Sequence, residues 1–292
     1  MKKILITGAS GFIAKNIAEK INRADFKIIG ISTSIKKLNC YDKIYKSKLG
    51  ESINEILKKE KIDFIIHCAF DKNDPENKIN TEGTLLWAKE AKKNNINFQI
   101  LISSISARKD AVSPYGKSKY YLEKWFTLNN YISFRLGLVL GSGGMFKKIV
   151  DNIKKFPVIP IIGGNRIKIY VSEINTIADI IKFTIENSKN IETGKVYNLH
   201  QDKPIESLKF YSTIKKELNL KKILIPIPYY LAYYCFLIIK KTKILEIDFD
   251  KNNFLGLKQN SNINIKSNLK TFGYKERDVG IIIKSLKKQN KL

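Results

Sequence analysis

Residues 2–14 read KKILITGASGFIA, an apolar strand pattern that enters a glycine-spaced turn and continues, through FIAKNIAEKINR, as a helical pattern. A strand that hands straight to a helix opens a parallel sheet, because parallel neighbours need a crossover and not a hairpin. The alternation then repeats. FKIIGIS reads as a strand, INEILKKE as a helix, DFIIHCA as a strand and NTEGTLLWAKEAKKNN as a helix. FQILISS follows as a strand, YGKSKYYLEKWFTLN as a long helix and ISFRLGLVLG as a strand. This predicts an α/β fold with a Rossmann-type doubly wound parallel sheet. Past residue 141 the pattern loosens, with prolines at 157, 160, 204, 226 and 228. A smaller C-terminal substrate-binding lobe is therefore expected, interleaved with the last strands. The expected division is residues 1–140 with 166–200 in the sheet domain, and 141–165 with 201–292 in the lobe.

Composition removes several classes of function. Cys40, Cys68 and Cys235 form no C-x-x-C pair, and His67 and His200 are the only histidines. A disulfide framework and a thiolate or His-rich metal site are excluded, so no metal is expected. The start reads as a strand and not as a signal peptide, which predicts a cytoplasmic protein. The longest uncharged stretch, ILIPIPYYLAYYCFLII at 223–239, is broken by Pro226 and Pro228 and falls short of a transmembrane segment. It is read as a buried helix starting near Tyr229, with a membrane-surface helix, flanked by KKTK, as the lesser reading. The net charge of +26 is almost all lysine, spread along the chain, with only five arginines. That predicts a solvated surface and weak attraction to anionic partners, not specific nucleic-acid recognition.

The chemistry-bearing residues sit at strand ends. In TGASGFIA, Gly8 permits a tight turn, Gly11 lets the backbone approach a pyrophosphate, and Ala14 lets the helix pack on the sheet. After the second strand the chain has Ser32, Ser34, Lys36 and Lys37 where an NAD site usually carries an acid. Hydroxyls and ammonium groups suit a 2′-phosphate, which favours NADP(H) over NAD(H). Tyr115 and Lys119 stand four apart at the start of a helix that follows the serine-ended strand LISSIS. Tyr120–Lys124 and Tyr211–Lys215 share the spacing, and with 14 tyrosines among 292 residues about two such pairs arise by chance. Only the first lies at the carboxyl edge of the sheet, where open α/β sheets bind ligands. An ammonium on the same helix face stabilises a phenolate, and a strand-end serine holds a substrate oxygen for proton exchange.

With these motifs in place, the chain resembles the extended short-chain dehydrogenase/reductase superfamily, the nucleotide-sugar epimerases, dehydratases and reductases, over nearly its whole length. DFIIHCA is similar to the family's D-x-x-x-H-x-A strand, and NTEGTLLWAKEA to its N-x-x-G-T helix with Asn80, Gly83 and Thr84. ISSIS with PYGKSK resembles the catalytic pattern, which implies Ser104, Tyr115 and Lys119 as the catalytic trio. FRLGLVLG, NRIKIYVSEINTIA, VYNL and the late KSNLKTFGYKERDVGIIIKSL are similar to the remaining family segments. The resemblance implies a cofactor-binding set of Gly8, Ser10, Gly11, Phe12, Ile13, Ser32, Lys36, Ala69, Asn80, Ser103, Tyr115 and Lys119. It implies substrate contacts from Ser104 and from Arg166, the latter toward a diphosphate. A homodimer through the helices around Leu85–Lys93 and Tyr115–Phe126 is implied as well. Departures are Leu136 for the usual proline, Glu173 and Asn175 for the usual acidic pair, and only ten residues between Ser104 and Tyr115.

The expected function is NAD(P)-dependent chemistry on a nucleotide-linked sugar, as 4-keto-sugar reduction or 4-epimerisation, with reduction slightly ahead. The rival is a cofactor-binding sensor or assembly protein of the same fold with little catalysis. Ordinary structural roles are also assigned: His67 as a packed or helix-capping side chain, Arg135 as an ion-pair partner, and Cys68 as a small core residue.

Overall fold

The computed structural model describes residues 1–34, 38–242, 254, 256, 258–259 and 263–292. The described chain divides into two compact units, Met1–Leu136 with Ile174–Leu199, and Gly137–Glu173 with His200–Leu292.

The first unit is built on seven strands: β1 (Lys2–Thr7), β2 (Phe26–Ser32), β3 (Lys43–Lys46), β4 (Phe64–His67), β5 (Phe98–Ser104), β6 (Ile132–Leu136) and, late in the chain, Val196–Leu199. The last of these pairs with β6, and the order from there runs β6, β5, β4, β1, β2, β3. Every pairing is parallel. Order reverses after β1, and that switch point is where an open α/β sheet offers a crevice at its carboxyl edge.

Helices cover both faces. Leu5, Ile29, Ile31 and Ile65 join Leu57 of α2 (Asn54–Glu60) and Trp87 of α3 (Lys78–Lys93) in one cluster. Leu101 of β5 extends that face under Leu122 and Phe126 of α4 (Pro114–Leu128). The alternate residues Ile4, Ile6 and Ile28 are fully buried on the opposite side of the pleat. α1 (Phe12–Lys20) packs there with the helix Ile174–Glu186. Burial on both faces is why the strands read as isoleucine-rich runs and not as alternating patterns.

The second unit collects the remaining elements around its own core. β7 (Leu138–Leu140) is followed by α5 (Gly144–Lys155), β8 (Val158–Ile162), β9 (Lys168–Ile169) and β10 (Val171–Glu173). After the chain has completed the first unit with the helix α6 (Ile174–Glu186) and the strand β11 (Val196–Leu199), it adds β12 (Ile205–Glu206), α7 (Ser207–Glu217), β13 (Ile223–Ile227) and α8 (Tyr229–Thr242). The last helix spans Val279–Lys288. Phe146, Val150, Ile161, Phe210, Ile214 and Ile283 form the buried centre.

Two expectations are corrected, and one strand was not anticipated. ISFRLGLVLG is two strands and not one, because the chain leaves the sheet at Gly137, where β7 turns to pair with β10. A Cβ at Gly137 would meet the Tyr170 carbonyl oxygen at 2.3 Å, so only glycine allows that crossing. β3 went unread: KIYK is short and charged, and Glu60 of α2 binds it through Lys43 and Tyr45. The helix does start at Tyr229 but is buried on one side only: Phe236 is buried, whereas Tyr230, Leu231, Tyr234 and Ile238 are exposed. Among the described residues no helix is long and apolar enough to cross a membrane.

Candidate active site

The glycine turn after β1 has the geometry its spacing demands. Gly8 lies at φ +67°, and a Cβ there would approach the Ala69 Cα to 2.8 Å. Glycine thus supplies both the left-handed backbone and the close pass of two strand ends. The Gly11 N–H donates to the Gly8 oxygen at 2.8 Å, and α1 begins at the next residue with no side chain capping it. The first-turn N–H groups of a helix need acceptors, and a pyrophosphate is a suitable one. Thr7 Oγ1 accepts from the Cys68 and Ala69 N–H groups, both at 3.1 Å, which locks the ends of β1 and β4 side by side. The loop therefore fits a dinucleotide: the backbone is bare where phosphate would approach, and the helix end points its amides there.

At the end of β2, Ser32 is buried and its hydroxyl donates to Ser10 Oγ at 3.1 Å. Lys36 lies outside the described residues. Asn80 is buried in α3, where its side chain bonds the backbone of Asp71 from both ends and also Asp74 Oδ2. It ties down the loop that follows β4. Ser103 turns away from the sheet edge: its hydroxyl is spent on Glu123 at 2.6 Å.

The residue pair on α4 lies beside the end of β5. Ser113 caps the helix by accepting from the Gly116 N–H at 3.1 Å, and Pro114 takes the first helical position, where no N–H is needed. A Cβ at Gly116 would meet the Ser106 oxygen at 2.5 Å, so glycine lets α4 close against the short loop after β5. Tyr115 then lies beside Ser104, whose hydroxyl accepts from the Ser106 N–H at 3.2 Å and pulls the phenol's pKa down. Lys119 Nζ donates to the Ile102 oxygen at 2.9 Å and sits 6.0 Å from the Tyr115 ring centre. Phe70 packs edge-on against the same ring.

Electrostatics follow from burial. Loss of solvent pushes the Tyr115 phenol up, with Ser104 pulling the other way. The same desolvation lowers Lys119 to about 8, against the opposing pulls of Cys68 and Glu123. Glu123 continues the face of Tyr115 and Lys119 one turn on, and Arg135 of β6 grips it with contacts of 2.6 to 3.1 Å. Burial pushes the Glu123 carboxyl up while Arg135 and Ser103 pull it down. This buried carboxyl was not anticipated, although it stands four residues after Lys119 in the sequence. Arg135 is thus an ion-pair partner of Glu123.

His67 is buried, bonds Gln99 Oε1 through Nε2 at 2.9 Å and meets Phe126 edge-on. Burial lowers it to about 4, so it stays neutral and packed. Cys68 is held up to about 12 by desolvation and is inert as a thiol. Arg166 belongs to the second unit, exposed in the 3-10 turn Gly164–Arg166.

A sequence model described as the NAD dependent epimerase/dehydratase family matches residues 4–199. No curated protein sequence matches the chain. Among solved structures, a UDP-glucose 4-epimerase from Stenotrophomonas maltophila with bound NAD and formylated UDP-arabinopyranose is similar at TM-score 0.73 and 10% identity, over 98% of this chain and 96% of that one. A UDP-glucose 4-epimerase from Thermotoga maritima with UDP-glucose is similar at 0.67 and 16% identity, over 88% and 97%. A dTDP-glucose 4,6-dehydratase from Bacillus anthracis in complex with NAD reaches 0.66 at 17% identity, over 78% and 85%. At such identities the likeness is one of fold.

Proposed function

The chain belongs to the NAD dependent epimerase/dehydratase family, and from that premise we propose that it acts at C4 of a nucleotide-linked sugar, by 4-keto-sugar reduction or 4-epimerisation. The observation that carries the reading is the meeting of Ser104, Tyr115 and Lys119 where β5 ends and α4 begins. Ser104 would hold the sugar oxygen. Tyr115 would exchange a proton with it through its phenol oxygen, and Lys119 would stabilise the phenolate form. A nicotinamide dinucleotide supplies the hydride chemistry when bound. Gly8, Ser10, Gly11, Phe12, Ile13 and Ala69 are the residues we place against it, with Asn80 shaping the loop beside Ala69.

Reduction is placed ahead of epimerisation because a pocket suited to NADP(H) fits a cofactor that is released after each turnover, whereas an epimerase keeps and recycles its own. NADP(H) is favoured over NAD(H) because residues 30–38 contain no acid to meet a ribose 2′-hydroxyl. Arg166 is proposed to contact the substrate diphosphate, and α3 with α4 to form a homodimer contact, where Tyr121 and Leu128 are exposed.

The test is a proton-NMR time course with nucleotide sugars, 4-keto sugars and either NADH or NADPH. Turnover is expected, and Tyr115→Phe should lower it by roughly 10²–10⁴-fold. Reduced product with oxidised cofactor released identifies a reductase; C4 inversion without net oxidation identifies an epimerase. Turnover untouched in the variant would remove Tyr115 from the mechanism. Tight cofactor binding with no turnover on any sugar would move the chain to the sensor class.

A further inference from the structure

We propose that α8 and the strand before it form a docking surface for an anionic phospholipid bilayer. The helix has two apolar sides with different fates. Tyr229, Tyr233 and Phe236 close around the ring of Phe254 at centroid distances of 6.0, 5.7 and 4.9 Å, and the Tyr229 hydroxyl donates to the Phe254 oxygen at 3.0 Å. That side is held by the protein's own packing. The other side, Tyr230, Leu231, Tyr234 and Ile238, follows helical spacing and is 54–63% exposed. The strand leading into it repeats the theme, with Ile223 of β13 and its register partner Val158 of β8 both exposed. An exposed apolar face carries a wetting cost unless something covers it.

Charge selects the occupant. Lys221 and Lys222 run directly into the exposed Ile223, in a chain of net charge +26. A second copy would bring two such lysine sets together, and like charges oppose that. An anionic lipid surface answers both features at once: these lysines meet headgroups, while tyrosine and aliphatic side chains enter the boundary between headgroup and acyl chain. Tyrosine suits that depth because its ring is apolar and its hydroxyl wet. Lys258 Nζ already donates to the Tyr230 hydroxyl at 2.8 Å, which places a further cation at the rim.

The measurement is co-sedimentation of the full chain with phosphatidylcholine vesicles, with and without roughly one-third phosphatidylglycerol. Binding to the anionic vesicles is expected to be at least about tenfold stronger and to persist in part at high salt. Leu231→Glu with Ile238→Glu should abolish it, and Lys221→Glu with Lys222→Glu should remove the preference for the anionic lipid. The Leu231 and Ile238 variant should keep the wild-type melting temperature, since those side chains face solvent. Lys221→Glu alone, which leaves the Lys222 bond to the Lys154 oxygen intact, serves as the matching charge control. Tyr234→Ser provides a milder variant on the same face and should weaken binding several-fold. The proposal is overturned by no binding to either vesicle, or by binding that vanishes with salt and ignores the Leu231 and Ile238 substitutions. An oligomer in light scattering that those substitutions dissociate, without vesicle binding by the wild type, would also overturn it and give the surface to a second copy.

Discussion

Desolvation acts in opposite directions on neighbouring groups of the first unit, and each direction has a readable consequence. Tyr115 keeps its proton more tightly and Lys119 less tightly than either would in water. His67, one strand away, is held near 4 against an ordinary 6.5. Above 6.5 that histidine is neutral in both folded and unfolded chains, so its contribution to stability is fully present. Between 6.5 and about 4 only the unfolded chain takes up the proton, and stability falls as the pH falls. The loss amounts to about 3 kcal/mol by the lower end of that window. His67→Gln cannot titrate and can still bond Gln99; urea midpoints measured from pH 7 to 4 should show a flatter decline in this variant than in wild type. At this scale the sequence was legible where a residue's place in an element defines its role. Tyr115, Lys119 and Ser104 stand out from the rival pairs because a serine-ended strand precedes them. Tyr211 is instead packed against the second unit's core, and Tyr120 carries only its own lysine, 5.8 Å from its ring. Spacing could not tell that Ser103 serves Glu123, because that depends on which side of β5 each serine faces and what waits there.

Elements are joined here by backbone contacts that tolerate no extra atom. Gly83 sits on the buried side of α3, and a Cβ there would come within 2.6 Å of the Gly50 nitrogen and 3.0 Å of the Leu49 carbonyl carbon. Backbone cannot rotate aside as a side chain can, so α3 would have to lift from the loop before α2. Gly83→Ala is therefore expected to destabilise the protein by about 1–3 kcal/mol, read as a lower denaturation midpoint at an unchanged slope. A wild-type midpoint would mean that the loop yields. Helices and long strands were legible because their apolar spacing repeats over enough residues to be distinctive. β3 was not, because four residues flanked by lysines hold no period and owe their place to Glu60, itself pulled down to about 2 by Lys43 and Tyr45. The exposure of α8 was equally hidden: an uncharged run reads as buried whether the protein or something else covers it.

The chain enters its two units in alternation. Residues up to Leu136 lay down six strands, and Ile174–Leu199 then supply the seventh with α6. Ile177, Ile180, Ile181 and Ile185 of α6 are all but fully buried, each contributing about 1.5–3 kcal/mol. A fragment ending at Leu136 is expected to lack a cooperative urea transition and to bind a hydrophobic dye, whereas one ending at Leu199 should unfold in a single step. A cooperative shorter fragment would show that the last helix and strand are dispensable. The pairing of Val196–Leu199 with Ser133–Leu136 also sets a timetable. On a ribosome, residues 137–199 take on the order of 3–13 s to be made. For that interval β6 emerges with one side unpaired, a bare edge on which the same strand of a neighbouring nascent chain could add. Crowding of translating copies, more than any flaw in the finished sheet, is then what would limit the yield of this protein.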